Sequence, residues 1–244
     1  VSCPQYNISI LPQGPNSNLI ADMKFSDKKL YTVAGNLGLW GMASFSLKLG
    51  TGEWYGHDNW KFTNSLCLCV APNHNKYYYG SVGQYGEQGT GLVECSNSWW
   101  YDTVYTTENT PIKKKEGEKY AAIFDVECDS KENIWMINYG TSSPLIVKDN
   151  NGKWYSYEIA SNKYHYKSVF IDSRNYKWMT GASDVKVFYD NNTLDDTSDD
   201  ITVTIPLTDS EGKIAEVSTC VTEDLTGEIW IGTAQGIAVH SFPS

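Results

Sequence analysis

The sequence has little basic charge and no long apolar run. Lys and Arg number 19 against 29 Asp and Glu, so the formal net charge is −10. An acidic chain repels phosphate backbones, and we therefore expect no nucleic-acid partner. No apolar run approaches the roughly 20 residues that a membrane-spanning helix needs. Residues 1–4 also lack the pattern of a signal peptide. These absences predict a soluble segment that does not insert into a membrane.

Helical periodicity and catalytic motifs are missing as well. No long stretch keeps an apolar stripe at helical spacing. The chain contains four histidines, His57, His74, His165 and His240. None of them belongs to an HExxH or His-x-His pattern, and neither a GxSxG nucleophile elbow nor a P-loop is present. The sequence therefore suggests that the protein is not an enzyme.

The six cysteines show no CxxC spacing and so predict no zinc site. Cys67 and Cys69 are separated by one residue, and a disulfide between such neighbours on a strand would be strained. We interpret the cysteines as buried thiols that act as small apolar residues. An unassigned disulfide is the alternative, so the cysteine pattern leaves the redox compartment open.

Aromatic residues and glycines are abundant, and they mark an internal repeat. The chain has 9 Trp, 17 Tyr and 20 Gly. Three copies begin with Asp and carry Trp on the following strand: Asp129 with Trp135, Asp172 with Trp178, and Asp224 with Trp230. Two weaker copies begin at Asp27 and Asn73 and carry Tyr31 and Tyr77 instead. Each copy consists of a strand, an Asp/Asn/Gly turn, an aromatic-bearing strand, a second turn and a third strand.

The repeat spacing predicts a propeller. The aromatic residues follow one another at steps of 46, 58, 43 and 52 residues, which suits four-stranded blades of about 40–50 residues. Fourth strands are predicted near residues 52–55, 98–101 and 152–157. Residues 9–11 or 237–242 are candidates for a closing strand. We expect residues 1–244 to form one all-β domain of four-stranded antiparallel blades, either a five-bladed ring or a segment of a larger β-propeller.

The best copy resembles the two-component-regulator propeller repeat of Bacteroidetes at Asp224, Gly227, Trp230, Gly232 and Gly236. Residues 73–81, 91–94, 187–200 and 209–213 resemble PorZ-type propeller proteins, which accompany the type IX secretion system. The resemblance implies a larger multi-domain protein at the periplasm or cell surface, with a role in secretion or surface attachment and binding of an anionic lipopolysaccharide. Related propellers form sensor domains of hybrid two-component systems. The resemblance supplies no catalytic residue.

One acidic stretch, residues 190–200, suggests metal chemistry. Calcium takes about six to eight oxygen ligands, and the candidate ligands here are Asp190, Asn192, Asp195 and Asp196. The stretch does not follow the EF-hand pattern. Alternatively, it is a solvated loop whose Asp and Thr side chains cap their own turns. Calcium is the one cofactor that the sequence suggests.

Three functions remain open. The first is a non-catalytic extracytoplasmic module that binds a glycan, a lipopolysaccharide or an envelope protein through loops or a central channel. The second is the periplasmic sensor domain of a hybrid two-component signalling protein. The third is a propeller lyase or glycosidase, which would need an acidic or histidine cluster at the channel. The sequence supplies no recognisable pair of carboxylates for glycoside hydrolysis, so we expect the first.

Overall fold

The computed structural model describes residues 20–33, 43–48, 53–58, 65–71, 73, 75–82, 91–96, 101–159, 166–181, 184–209, 212–213 and 217–241. Regular structure in these ranges consists of β-strands, and no helix among them is long and apolar enough to cross a membrane. The candidate closing strand at residues 9–11 lies outside the described residues.

The strands form successive antiparallel sheets in chain order. The first contains β1 (Asp22–Ser26), β2 (Lys29–Val33), β3 (Ala43–Lys48) and β4 (Glu53–Asp58). The second contains β5 (Ser65–Ala71), β6 (Lys76–Ser81), β7 (Gly91–Ser96) and β8 (Tyr101–Tyr105). The third contains β9 (Ile123–Cys128), β10 (Ile134–Asn138), β11 (Leu145–Lys148) and β12 (Trp154–Tyr157).

The fourth sheet contains β13 (Ser168–Ile171), β14 (Lys177–Thr180), β15 (Asp184–Tyr189) and β16 (Ile201–Pro206). A two-stranded ribbon of β17 (Thr208–Asp209) and β18 (Gly212–Lys213) follows it. The fifth sheet contains β19 (Ser218–Glu223), β20 (Ile229–Thr233) and β21 (Gly236–His240). The prediction of four-stranded antiparallel blades is therefore confirmed for four sheets, and the fifth has three strands in the described part of the chain.

The three tryptophans of the repeat occupy equivalent places. Each is the second residue of the second strand in its sheet and lies opposite a valine of the third strand. The pairs are Trp135 with Val147, Trp178 with Val187, and Trp230 with Val239. We call the side of a sheet that bears this residue its forward face, because in the third and fourth sheets it is directed toward the next sheet along the chain. The sequence repeat is thus a repeat of the structure.

The second sheet departs from the predicted register by one residue. Tyr77, the predicted equivalent of the tryptophans, packs backward against the first sheet, where its ring lies 5.5 Å from that of Tyr31. Tyr78 is the residue that points forward, into a cluster with Ile134 and Met136 of the third sheet. Neighbouring residues of a strand face opposite sides of the sheet. A one-residue change in turn length therefore exchanges the faces on which the two tyrosines lie.

The apolar residues lie between the sheets. On the backward face of the third sheet, Ile134 and Met136 pack against the second sheet. On its forward face, Trp135 and Ile137 pack against Met179 and other residues of the fourth sheet. Each sheet therefore buries both faces only when it has a neighbour on both sides, as in a propeller.

The described sheets do not close into a ring. Each apolar cluster of the described residues joins two successive sheets, and none of them joins the fifth sheet to the first. Met23 and Phe25 on the first sheet are 57% and 64% exposed, and Ile237 on the fifth is 70% exposed. These outward faces carry the residue types that are buried between the inner sheets. The arrangement therefore favours a propeller segment over a closed five-bladed ring.

Candidate functional site

A cavity of about 450 Å³ lies where the first strands of the five sheets converge. β1, β5, β9, β13 and β19 all contribute residues to its wall. Its ionisable and polar residues include Asp22, Lys24, Asp125, Glu127, Lys167 and Thr219. Polar side chains from the first, third, fourth and fifth sheets meet in this cavity, which makes it the candidate binding site.

Two carboxylates in the cavity wall connect neighbouring sheets. Asp22 of the first sheet accepts the backbone N–H of Leu68 in the second sheet at 2.9 Å. Asp125 of the third sheet accepts the N–H of Val169 in the fourth at 2.8 Å. Each aspartate therefore bonds to the first strand of the following sheet, and both aspartates lie at the rim of the same cavity.

Asp125 has an unusual protonation equilibrium. Burial raises its pKa to about 8, and the nearby carboxylates of Glu127 and Asp22 act in the same direction. The N–H of Val169 and the ammonium of Lys24 oppose the rise but do not cancel it. Removing an ionised carboxylate from water costs more than these contacts return. Asp125 is therefore mostly protonated at neutral pH.

Lys24 and Glu127 form an ion pair that joins the first and third sheets. Burial works to lower the pKa of Lys24, but Glu127, Asp22 and Asp125 together raise it. Burial raises the pKa of Glu127, and Lys24 opposes that rise. The pair links residues 103 positions apart and brings charges of both signs to the cavity wall.

The aspartates that begin the repeat have a structural role. In Asp172, Oδ1 accepts the backbone N–H groups of Arg174 and Tyr176 at 3.0 and 2.9 Å. Its Oδ2 accepts the indole N–H of Trp178 at 2.9 Å. Asp129 and Asp224 make the equivalent three bonds in their own turns. These carboxylates lock a turn to an aromatic residue and are not available as catalytic groups.

The third residue after each aspartate has a left-handed backbone. Glu132, Asn175 and Gly227 have φ of 61°, 70° and 85°. Glycine and asparagine tolerate this region best, which explains the Gly and Asn of the repeat. In the Asp129 copy this position belongs to Glu132.

Three of the four predicted calcium ligands already have partners on the chain. Asp190 is buried and pairs with the ammonium of Lys177. The side-chain oxygen of Asn192 accepts a hydrogen bond from Asn175 at 2.9 Å. Asp196 accepts both the N–H and the hydroxyl of Ser198.

The fourth candidate ligand, Asp195, lies exposed in the same loop. Within the described ranges, no three His, Cys, Asp or Glu side chains are placed to hold a metal ion. The calcium site stays a prediction.

The structure describes the side chains of one histidine and five cysteines. The ring of His240 lies 5.8 Å from that of Trp178; His74, His165 and Cys3 fall outside the described residues, and so does the side chain of His57. Cys67, Cys69 and Cys95 are buried free thiols, as the sequence suggested. Cys128 is half-buried and Cys220 is exposed, so that interpretation does not extend to every cysteine.

Sequence reasoning did not single out the cavity residues. A signal was present, because Asp22 and Lys24, like Asp125 and Glu127, are charged residues two positions apart on otherwise apolar strands. Residues two apart share a strand face, so each pair indicates a polar strip. That both strips belong to one cavity depends on contacts between distant sheets.

Antiparallel sheets packed face to face around a shared cavity define this chain as a β-propeller segment. No protein-family model matches the sequence, and no curated protein matches it. The fold is similar to that of PorZ, an essential surface component of the type IX secretion system of Porphyromonas gingivalis. The two share 20% identity with a TM-score of 0.79, over 93% of this chain and 33% of PorZ.

Two other solved structures share the fold. The extracellular domain of a putative hybrid two-component system from B. thetaiotaomicron is 15% identical, with a TM-score of 0.66, over 95% of this chain and 29% of that one. A catalytically inactive virginiamycin B lyase variant from Staphylococcus aureus is 15% identical, with a TM-score of 0.60, over 92% and 70% of the two chains. The chain thus spans about a third of PorZ and of the sensor structure. The resemblance to PorZ-type and two-component-regulator propellers is confirmed for the fold.

Proposed function

We propose that this chain is a non-catalytic, extracytoplasmic propeller module of a larger multi-domain protein, and that it binds a glycan or an envelope protein in the cavity between its first strands. The observation that carries the proposal is the cavity itself, which all five sheets line. Its volume of about 450 Å³ lies within the roughly 300–1,000 Å³ of typical ligand sites.

The wall of the cavity suits a polar ligand with hydroxyl groups. Lys24 and Lys167 offer ammonium donors, Asp22 and Glu127 offer acceptors, and the protonated carboxyl of Asp125 can donate. Phe124 and Phe170 add apolar surface to the same wall. Sugars combine hydroxyl groups with an apolar ring face, and aromatic residues beside mixed donors and acceptors match that combination.

The comparisons support an extracytoplasmic location. PorZ is described as a bacterial surface component, and the second similar structure is an extracellular domain. We therefore propose that this module lies at the periplasm or cell surface and acts in secretion or surface attachment. The sensor-domain structure supports a signalling role as the alternative function of the same module.

The described cavity favours binding over catalysis. A variant of the similar virginiamycin B lyase with a histidine replaced by alanine is described as catalytically inactive. No histidine lines the cavity within the described residues, and His240 packs beside Trp178 instead. A non-catalytic module accounts for this arrangement better than a lyase.

The test is a glycan array, neutral and anionic, followed by isothermal titration of the glycans that bind. Lys167 is exposed and lines the cavity, so Lys167→Glu changes the site without breaking an internal ion pair. We expect it to weaken binding at least tenfold. The control is Lys131→Glu, which makes the same charge change on an exposed turn outside the cavity. Absence of binding across the array, or equal affinity in Lys167→Glu, would contradict glycan binding at this site.

A further inference from the structure

The five sheets present equivalent residues to the cavity. In each sheet, the residue two positions after the forward aromatic residue of the second strand lies opposite one residue of the first strand. These first-strand residues, which we call the wall positions, are Asp22, Cys67, Asp125, Ser168 and Cys220. All five line the cavity. Differences among them therefore show what each pair of neighbouring sheets contributes to the site.

The residue after each wall position directs its backbone N–H away from its own sheet. In the fifth sheet, the N–H of Asp224 donates to the C=O of Glu228 at 3.0 Å, and bonded pairs alternate along an antiparallel ladder. Val221, opposite Ile231, then belongs to a non-bonded pair. Its N–H therefore points away from β20, on the side of the cavity that Val221 lines.

Two aspartates at wall positions accept four of these five N–H groups. One oxygen of each carboxylate accepts the N–H of the residue that follows it, and the other oxygen accepts an N–H of the next sheet. The bonds are 2.7–2.9 Å long and run from Met23 and Leu68 to Asp22, and from Val126 and Val169 to Asp125. Each carboxylate thus bridges the first strands of two neighbouring sheets at the cavity.

The N–H of Val221 faces a different wall position. The residue of the fourth sheet that corresponds to Asp22 and Asp125 is Ser168. Its hydroxyl oxygen lies 2.5 Å from that of Thr180, within its own sheet. In the described structure, no carboxylate at a wall position bridges the fourth and fifth sheets. The place that a carboxylate fills between the first and second sheets, and between the third and fourth, is open here to a ligand.

Charge in this part of the cavity is compatible with an anionic group. Lys167 precedes Ser168, is exposed and lines the cavity. The carboxylate of Glu127 is paired with Lys24, and Asp125 is mostly protonated at neutral pH, so neither strongly repels an anion. An ammonium group beside a backbone N–H is a combination that binds a carboxylate through charge-assisted hydrogen bonds.

We propose that the cavity binds the carboxylate of an acidic sugar between the fourth and fifth sheets, with one oxygen on the N–H of Val221 and the ammonium of Lys167 beside it. The carboxylate of the ligand takes the place that Asp22 and Asp125 take between the other sheets. This subsite rests on the proposed function, glycan binding in the cavity, and narrows the ligand to sugars that carry a uronic acid. The hydroxyl groups of a neutral sugar are weaker acceptors for the same N–H.

The test follows the amide signal of Val221 by NMR in protein labelled with ¹⁵N-valine, during titration with D-glucuronate or D-galacturonate. The signal is identified by its loss in Val221→Ile. We expect the amide proton to move downfield and to saturate, because it gains a hydrogen bond to a charged oxygen. The methyl ester of each sugar, which lacks the charge, should bind at least tenfold more weakly.

Variants of Ser168 test whether the ligand replaces a carboxylate of the chain. In Ser168→Asp, the Val221 amide proton should lie downfield without sugar, and the affinity for both uronates should fall at least tenfold. Ser168→Asn offers an acceptor oxygen without a charge and should also weaken binding, which separates occupation of the N–H from charge repulsion. The matched control is Ser168→Ala, which leaves the N–H open and should bind the uronates as the wild type does.

Any of three results would overturn the subsite: no movement of the Val221 amide with either uronate, equal affinity for the methyl esters, or unchanged affinity in Ser168→Asp. A Val221 amide that is protected from solvent exchange in the free wild type would show that the protein itself fills the place, which also overturns it. Neutral glycans that bind, lose affinity in Lys167→Glu and leave the Val221 amide unmoved would support the proposed function while the subsite fails.

Discussion

Trp178 and Trp230 occupy the same position in successive sheets, yet Trp178 is 1% exposed and Trp230 is 40% exposed. Each indole N–H donates to the aspartate six residues earlier, at 2.9 and 3.0 Å. Each also lies opposite a valine of the third strand. The local structure is therefore the same in both sheets. The exposure of the two side chains differs because the fifth sheet covers Trp178. Burial of the repeat tryptophan is a property of the stack of sheets.

The first prediction compares these two tryptophans. Trp178→Ala should lower the free energy of unfolding by about 3–5 kcal/mol, because it opens a cavity between two packed sheets. Trp230→Ala should lower it by less than about 2 kcal/mol, because much of that side chain is already in water. Urea denaturation of both variants measures the difference. Similar losses would show that a further part of the protein covers Trp230.

The second prediction concerns the turn aspartates. Asp172→Ala removes three hydrogen bonds and leaves the buried indole N–H of Trp178 without a partner, which should cost about 2–4 kcal/mol. Asp224→Ala removes the equivalent three bonds, and a fourth from the hydroxyl of Thr226, at an exposed turn. Water replaces these bonds there, so the loss should be clearly smaller.

Thermal and urea unfolding of the two variants give the comparison. Asp172→Asn, which keeps one acceptor oxygen, should fall between the wild type and Asp172→Ala. An Asp172→Ala variant as stable as Asp224→Ala would contradict the locking role of the buried turn.

The third prediction is a pH dependence that belongs to Asp125. Its folded pKa of about 8 exceeds its unfolded pKa of about 3.9. Between these values the unfolded chain has lost the proton that the folded chain retains, so stability falls as pH rises from about 4 to about 8. Asp125→Asn removes this dependence. As the pH rises over that range, the free energy of unfolding of the variant should increase relative to that of the wild type by about 1–3 kcal/mol.

The measurement is urea denaturation of both proteins at several pH values. The quantity of interest is the difference between their unfolding free energies, because groups that do not interact with Asp125 titrate equally in both proteins. A difference that stays constant from pH 4 to pH 8 would show that Asp125 is ionised throughout.

The fourth prediction tests calcium at the acidic loop. Lys177 is fully buried beside Asp190, and its ammonium lies 4.1 Å from the ring centroid of Trp135. Lys177→Met leaves the Asp190 carboxylate without its cation and should cost about 3–5 kcal/mol. If the loop binds calcium, millimolar calcium should recover part of that loss, because the ion replaces the missing charge.

The control is the same variant carrying Asp195→Asn and Asp196→Asn, in which calcium should no longer raise the melting temperature. Magnesium should recover less than calcium, because it is smaller and demands near-octahedral geometry. No recovery with calcium would show that the calcium prediction is wrong.

Some features were predictable because they are local. The turn from Asp172 to Trp178 closes within seven residues, so its hydrogen bonds follow from the sequence of the turn alone. Strand periodicity, a property of adjacent residues, likewise predicted the fourth strands at β4 and β12. In the second copy, the equivalent of the tryptophans was predicted at Tyr77, whereas Tyr78 occupies the forward face. The two residues have the same side chain, so only packing distinguishes them.

The candidate site was less predictable. Asp22, Lys24, Asp125 and Glu127 belong to no sequence motif, and the residues of the ion pair are 103 positions apart. The residues that the sequence did favour, from Asp190 to Asp196, bond mainly within or beside their own loop.

The sequence by itself determined the repeat, the order of the strands and the Asp-to-Trp turns, because each depends on contacts within about one hairpin. The tertiary structure decided which faces are buried, where charges from separate sheets meet, and that Asp125 holds its proton near neutral pH. These properties depend on desolvation and pairing by neighbours that are distant in the chain, and no local pattern of residues encodes them.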